Sequence, residues 1–150
     1  MRTAQLGPWE FSIPDGWDQK SFDSGVTYFQ HPDETKGLYV KSIELNEPQN
    51  SSLQLAQYIQ QVHESSFRET NLDAAWEVVD RRNRVDGALT HSALDLYDAK
   101  ANYRVLSLVV CDRASALQLT FHDYWCENYP SAREMFAEIE RSMVWVAGAA

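Results

Sequence analysis

Trp9-Glu10-Phe11-Ser12-Ile13 alternates apolar and polar side chains with period two, the signature of a half-buried strand. Pro14-Asp15-Gly16 follows as a turn, because proline presets φ and glycine supplies a positive φ. Residues 26–31 predict a second strand, stopped by Pro32-Asp33. Residues 37–45 predict a third, with Leu38, Val40 and Ser42 on one face and Tyr39, Lys41 and Ile43 on the other. After a loop at 46–50 the period changes. Leu55, Ile59, Val62 and Ser66 form one helical row, with Ala56, His63 and Phe67 beside it, which predicts a helix over 52–69. Ser51-Ser52-Leu53-Gln54 offers it a capping box.

Residues 71–74 connect this helix to a strand over 75–82. Val85-Asp86-Gly87 carries the strongest hairpin signal in the chain and leads into a strand over 88–97. Turns at 98–100 and 112–114 separate two further strands, 101–112 and 115–124. A last helix carries the stripe Ala132, Met135, Phe136, Ile139 and Met143; Pro130 suits its first turn, and Ser131 with Glu134 offers a capping box instead. The order is β-β-β-α-β-β-β-β-α. Strands joined by tight turns pair antiparallel, and two helices with one apolar stripe each must cover a sheet. The expected fold class is α+β: one domain over 1–150, an antiparallel sheet of about six or seven strands flanked by two main helices.

Composition narrows the function classes. The chain has 150 residues, 44% hydrophobic and 23% charged, which suits a globular domain with its own core. Its formal charge is -9. That argues against nucleic acid or an anionic membrane surface as partner. The charge is -4, -3 and -2 over successive thirds, so it is spread along the chain rather than gathered in a tail. No apolar h-region opens the sequence and no stretch approaches membrane-span length, which leads to the expectation of a cytoplasmic protein. Cys111 and Cys126 have neither disulfide-framework nor metal-finger spacing and read as two free thiols. No cofactor or metal motif is present in the sequence.

Phe11-Ser12-Ile13-Pro14-Asp15-Gly16-Trp17 resembles the opening F-x-I/L-P-x-G-W of the PsbP-like sandwich, a fold shared with Mog-type Ran-binding and bacterial DcrB-like proteins. The layout from the mid-chain helix through Val85-Asp86-Gly87-Ala88 to Arg141-Ser142-Met143-Val144 is similar too, so the resemblance spans about residues 9–145. It implies an α/β/α sandwich. Small cytoplasmic bacterial members include chaperones of type VI secretion effectors, so it also implies a non-enzymatic protein that holds an apolar effector segment on a sheet face, usually as a homodimer. A photosystem role would need a targeting segment. The second function considered is an immunity protein that plugs a toxin through its acidic surface. The third is an uncharacterised PsbP-like accessory protein.

The strand faces give the candidate site. Leu106, Leu108 and Val110 share a face, as do Leu117, Leu119 and Phe121, and both suit burial under helices. The opposite face carries Tyr103, Val105, Ser107 and Val109, then Gln118, Thr120, His122 and Tyr124. Such a mixture can bury an apolar segment while meeting its polar groups. Tyr28, Tyr39, Tyr103, Gln118 and Thr120 are the expected partner-binding residues; the plain alternative is a solvated sheet face. His91 and His122 with Asp95 suggest a metal or acid–base site, but without tight spacing they favour ordinary hydrogen-bonded histidines. Cys111 with His122 suggests a nucleophile pair, yet Cys111 sits in an apolar run where thiols are inert. Arg81-Arg82-Asn83-Arg84 reads as partners for nearby acids at a strand end. No catalytic residue is assigned.

Overall fold

The computed structural model describes residues 1–21, 25–70 and 73–146. Among them the chain order is β1 (Arg2–Leu6), β2 (Trp9–Ile13), β3 (Asp18–Ser21), β4 (Val26–Gln30), β5 (Lys36–Glu44), α1 (Ser52–Thr70), β6 (Trp76–Asp86), β7 (Leu89–Asp98), β8 (Tyr103–Cys111), β9 (Ser115–Asp123), α2 (Tyr129–Ser142) and β10 (Val144–Trp145). Seven strands form one antiparallel sheet in the order β3-β4-β5-β9-β8-β7-β6. A second sheet of three has the order β1-β2-β10.

The α+β class and the two helices are as the hydrophobic pattern predicts. Three strands are not. β3 reads Asp-Gln-Lys-Ser and is exposed along its length, so no alternation marks it. β1 is mostly exposed and β10 has two residues. Both are held by pairing to β2 rather than by their own pattern. β6 runs unbroken to Asp86, which places Arg81–Arg84 within a strand rather than at its end. Asp86 pairs with Leu89 across Gly87 and Ala88, and Gly87 takes φ 60°, the left-handed value a two-residue hairpin asks of its first loop residue. Of the connection at 71–74, residues 71 and 72 lie outside the described residues.

Both helix starts are capped. The Gln54 amide donates to Ser51 Oγ at 3.1 Å, as the capping box requires. At α2 the cap is Asn128, whose Oδ1 accepts from the Ser131 amide at 3.1 Å, so Ser131 lies inside the first turn rather than capping it.

The large sheet is covered on both sides. On one face Phe29, Leu38, Leu108, Leu119 and Phe121 meet Trp9, Phe11 and Ile13 of β2 and Phe136 and Ile139 of α2. The leucine face thus shares its cover between a helix and the small sheet, which the strand pattern did not foretell. On the other face α1 packs across β7 and β8, with Leu55, Ala56 and Ile59 on Val109, Cys111 and Ala116. The two helices lie on opposite faces. Among the described residues α1 packs mainly on β7 and β8 of the second face, with little reach over β5 and β4.

Candidate functional site

The face beside α1 holds a continuous set of rings. Tyr28 on β4 stacks on its cross-strand partner Tyr39 on β5, with centroids 4.4 Å apart. Tyr39 meets His122 edge-on at 5.2 Å, and His122 lies nearly parallel to Tyr124 at 5.6 Å. Tyr103 touches His122, Tyr124 and Trp76, and Phe67 of α1 reaches both Trp76 and His122. Tyr28 also reaches toward Tyr124, two strands away. It does so by lying across Gly37, where a methyl group would meet Tyr28 Cζ at 2.7 Å. Glycine is needed here for the close approach. Gly37→Ala is expected to cost about 1–3 kcal/mol through overpacking. Chemical denaturation should show the loss, and Tyr28→Ala in the same background should recover part of it.

Hydrogen bonds fix the protonation states. Tyr103 Oη bonds His122 Nδ1. Burial, with a smaller contribution from the nearby His63, lowers the His122 pKa to about 4. Burial also raises the Tyr103 phenol well above its ordinary value. Tyr103 is therefore the donor and neutral His122 the acceptor. His63 on α1 is likewise pushed down by burial. Ser107 Oγ donates to Gln60 Oε1 at 2.9 Å, so it accepts from His63 Nδ1 at 3.1 Å. His63 Nε2 then accepts from Thr120 Oγ1 at 3.4 Å. Gln60 Nε2 closes the set by donating to the Ser92 carbonyl at 2.9 Å. These groups lock α1 to the sheet as neutral partners.

Beside that lock runs a groove of about 330 Å³ between α1 and strands β5 and β9. Ile43 and Leu45 form one wall, and Leu55, Tyr58, Ile59 and Val62 the other. Lys41, His63, Ser66 and Gln118 supply its polar positions. Tyr58 and Val62 are 66% and 50% exposed, although Val62 belongs to the same helical row as buried Leu55 and Ile59.

The five expected partner-binding residues all lie on this face. Tyr28, Tyr39 and Tyr103 join through the ring cluster; Thr120 lies opposite Tyr39 and bonds His63; Gln118 lines the groove. Tyr28 and Thr120 are 7% and 6% exposed, whereas Tyr39, Tyr103 and Gln118 are partly open. Sequence reasoning passed over Tyr58 and Val62, because α1 packs mainly on β7 and β8 and the end of its apolar stripe overhangs. His122 and Tyr124 were on the right face and were not chosen; Gly37 opposite His122 was the available signal for large rings crossing there.

The other candidates separate. His91 bonds Glu140 of α2 at 3.0 Å on the opposite face from His122, with β8 between their strands. Cys111 pairs with Ala116, far along β9 from His122, and donates its thiol to the Ser52 carbonyl at 3.2 Å. Burial pushes that thiol up to about 12. The cysteines are unpaired. Arg81 bonds Glu64, Arg82 bonds Asp80 and Arg84 reaches Asp86 and Glu140, so the basic run does serve acids of its own chain. Among the described residues no group of three or more His, Cys, Asp or Glu is placed to hold a metal ion. Among them, too, no helix is long and apolar enough to cross a membrane.

Two sheets with a helix on each side of the larger one define a PsbP-like α+β sandwich. The structure is similar to that of cyanobacterial PsbP (CyanoP) from Synechocystis sp. PCC 6803, with a TM-score of 0.74 and 16% identity, covering 92% of this chain and 86% of that one. A solved protein of Bacteroides thetaiotaomicron matches with a TM-score of 0.56 and 11% identity; the match covers 95% of this chain and 47% of that one. At these identities the likeness is one of fold. No family model and no curated protein matches the sequence.

Proposed function

We propose that this PsbP-like domain is a non-enzymatic protein-binding module that holds an amphipathic helix of a partner protein in the groove beside α1. The setting we propose is that of a cytoplasmic chaperone or adaptor for a secreted effector, in keeping with the family resemblance in the sequence. The observation that carries the reading is the groove itself: Ile43, Leu45, Tyr58 and Val62 offer apolar contact, and Lys41 and Gln118 stand ready for a carboxylate or carbonyl at the helix end. The neighbouring histidines and tyrosines support a scaffold rather than a reaction centre. His63 and His122 are held neutral by burial and spend ring nitrogens on Ser107, Thr120 and Tyr103.

A photo-crosslinking residue at position 62 tests this in the native host. The expected result is an adduct with one partner protein, absent when the same residue stands at position 85, which is exposed on the far edge strand. The adducted segment, made as a peptide, should stabilise the purified protein, and Val62→Asp should abolish that. Equal adduct patterns at 62 and 85 would reject the reading.

A further inference from the structure

A second concavity lies on the opposite side of the molecule, between β6 and α2. Asp80, Arg82 and Arg84 are spaced by two along β6 and so share a face. Arg133, Glu140 and Arg141 line the facing side of α2 at helical spacing. Together they wall a pocket of about 270 Å³ whose apolar surface comes from Ala93, Leu106, Phe136 and Ala137. Four of the chain's nine arginines thus meet at one pocket in a protein of charge -9.

Each arginine meets an acid, and two of those acids are shared. Asp80 serves both Arg82 at 3.0 Å and Arg133 at 3.3 Å. Glu140 serves His91 at 3.0 Å and reaches Arg84 only at 3.5 Å. Asp95 lines the pocket but is spent on Arg104 at 2.9 Å and on the Tyr129 hydroxyl. From beside the wall Arg84 also reaches Asp86 at 3.5 Å and Arg141 bonds Glu134 at 3.1 Å, so the wall itself sets four guanidinium groups against the carboxylates of Asp80, Asp95 and Glu140. The arginines are 45–63% exposed, and ion pairs so exposed contribute little to stability. Folding alone gives weak reason for crowding like charges around a concave surface. A guanidinium retains free N–H donors after one carboxylate contact and matches oxyanions in a planar, two-pronged way.

We propose that this pocket binds a small organic oxyanion, a di- or tricarboxylate or a phosphorylated molecule with a short apolar stem, held by Arg82, Arg84 and Arg133 with its stem over Phe136. At about 270 Å³ the pocket lies just below the usual range for drug-sized ligands, which suits a compact molecule. The diffuse negative charge of the protein opposes acidic macromolecules at long range more than it opposes a small anion within a Debye length of the arginines. This site stands apart from the groove beside α1 and does not depend on it.

Calorimetric titration of the intact chain with citrate and with inorganic pyrophosphate tests the proposal and separates the two anion sources. Saturable binding tighter than about 1 mM is expected for at least one probe. Arg84→Gln and Arg133→Gln should each weaken it about tenfold or more, since each removes a charge-assisted contact. Arg113→Gln, outside the pocket, should leave it unchanged. Circular dichroism confirms that each variant is folded. Preference for citrate assigns a carboxylate ligand, and preference for pyrophosphate a phosphorylated one. No saturable binding of either probe, or binding that Arg84→Gln, Arg133→Gln and Arg113→Gln alter alike, would overturn it.

Discussion

Arg104→Met is expected to destabilise the protein by about 3–5 kcal/mol, because it strands a buried carboxylate. Arg104 and Asp95 have side chains only 9% and 8% exposed and bond at 2.9 Å across β8 and β7. Asp95 has a second donor in the Tyr129 hydroxyl, which cannot by itself compensate an ionised group out of water. The guanidinium carries a further role. It lies 3.5 Å from the centroid of the Tyr129 ring and 4.7 Å from that of Tyr97, tying the first turn of α2 to the sheet. Methionine keeps much of the stem and loses the charge. Urea denaturation should show the fall in midpoint. Arg104→Met with Asp95→Leu should recover much of the loss, since removing both charges also removes their desolvation cost. A loss below about 1 kcal/mol in the single variant would mean that the pair is effectively solvated.

Acid should weaken the fold through His122 by about 3 kcal/mol. Its folded pKa of about 4 stands below the 6.5 of an unfolded histidine, so the folded state prefers the neutral ring. The contribution is fully present above pH about 6.5, declines as pH falls toward about 4, and is constant below. Protonation also removes the acceptor that Tyr103 needs. His63, shifted in the same direction by burial, adds to the slope. Carboxylates titrate nearby in pH, so the measurement is a difference: stability against pH for the protein and for His122→Phe. The variant should lose the larger part of the decline between pH about 6.5 and about 4. Identical slopes would show that His122 charges freely in the fold.

The strands and helices that carry the core were legible because their patterns are unambiguous. Val40, Leu108 and Leu119 alternate, and Leu55, Ile59 and Val62 recur at helical spacing. The small sheet was not, since β1 and β10 exist by pairing to β2 and have little alternation of their own. The same limit applied to the site. Periodicity placed Tyr28, Tyr39, Tyr103, Gln118 and Thr120 on one face but could not say which part of that face α1 would cover. That depends on where the 46–50 loop sets the helix down: Leu45 and Gln49 amides bond the carbonyls of Ala114 and Arg113 at the β8–β9 turn. The result lays α1 over β7 and β8, buries Thr120 and leaves Val62 overhanging. Arg82, Arg84 and Arg133 converge only because β6 and α2, 53 residues apart at Asp80 and Arg133, close on each other.

The chemistry of the groove beside α1 separates apolar capture from an acidic plug. The most direct measurement is the affinity of the purified protein for the segment crosslinked at position 62, taken at about 50 and about 500 mM salt. Burial of an apolar helix against Ile43, Leu45, Tyr58 and Val62 predicts a dissociation constant that changes by less than about threefold, and loss of binding in Val62→Asp. An affinity that falls by orders of magnitude with salt and ignores Val62→Asp would contradict the account.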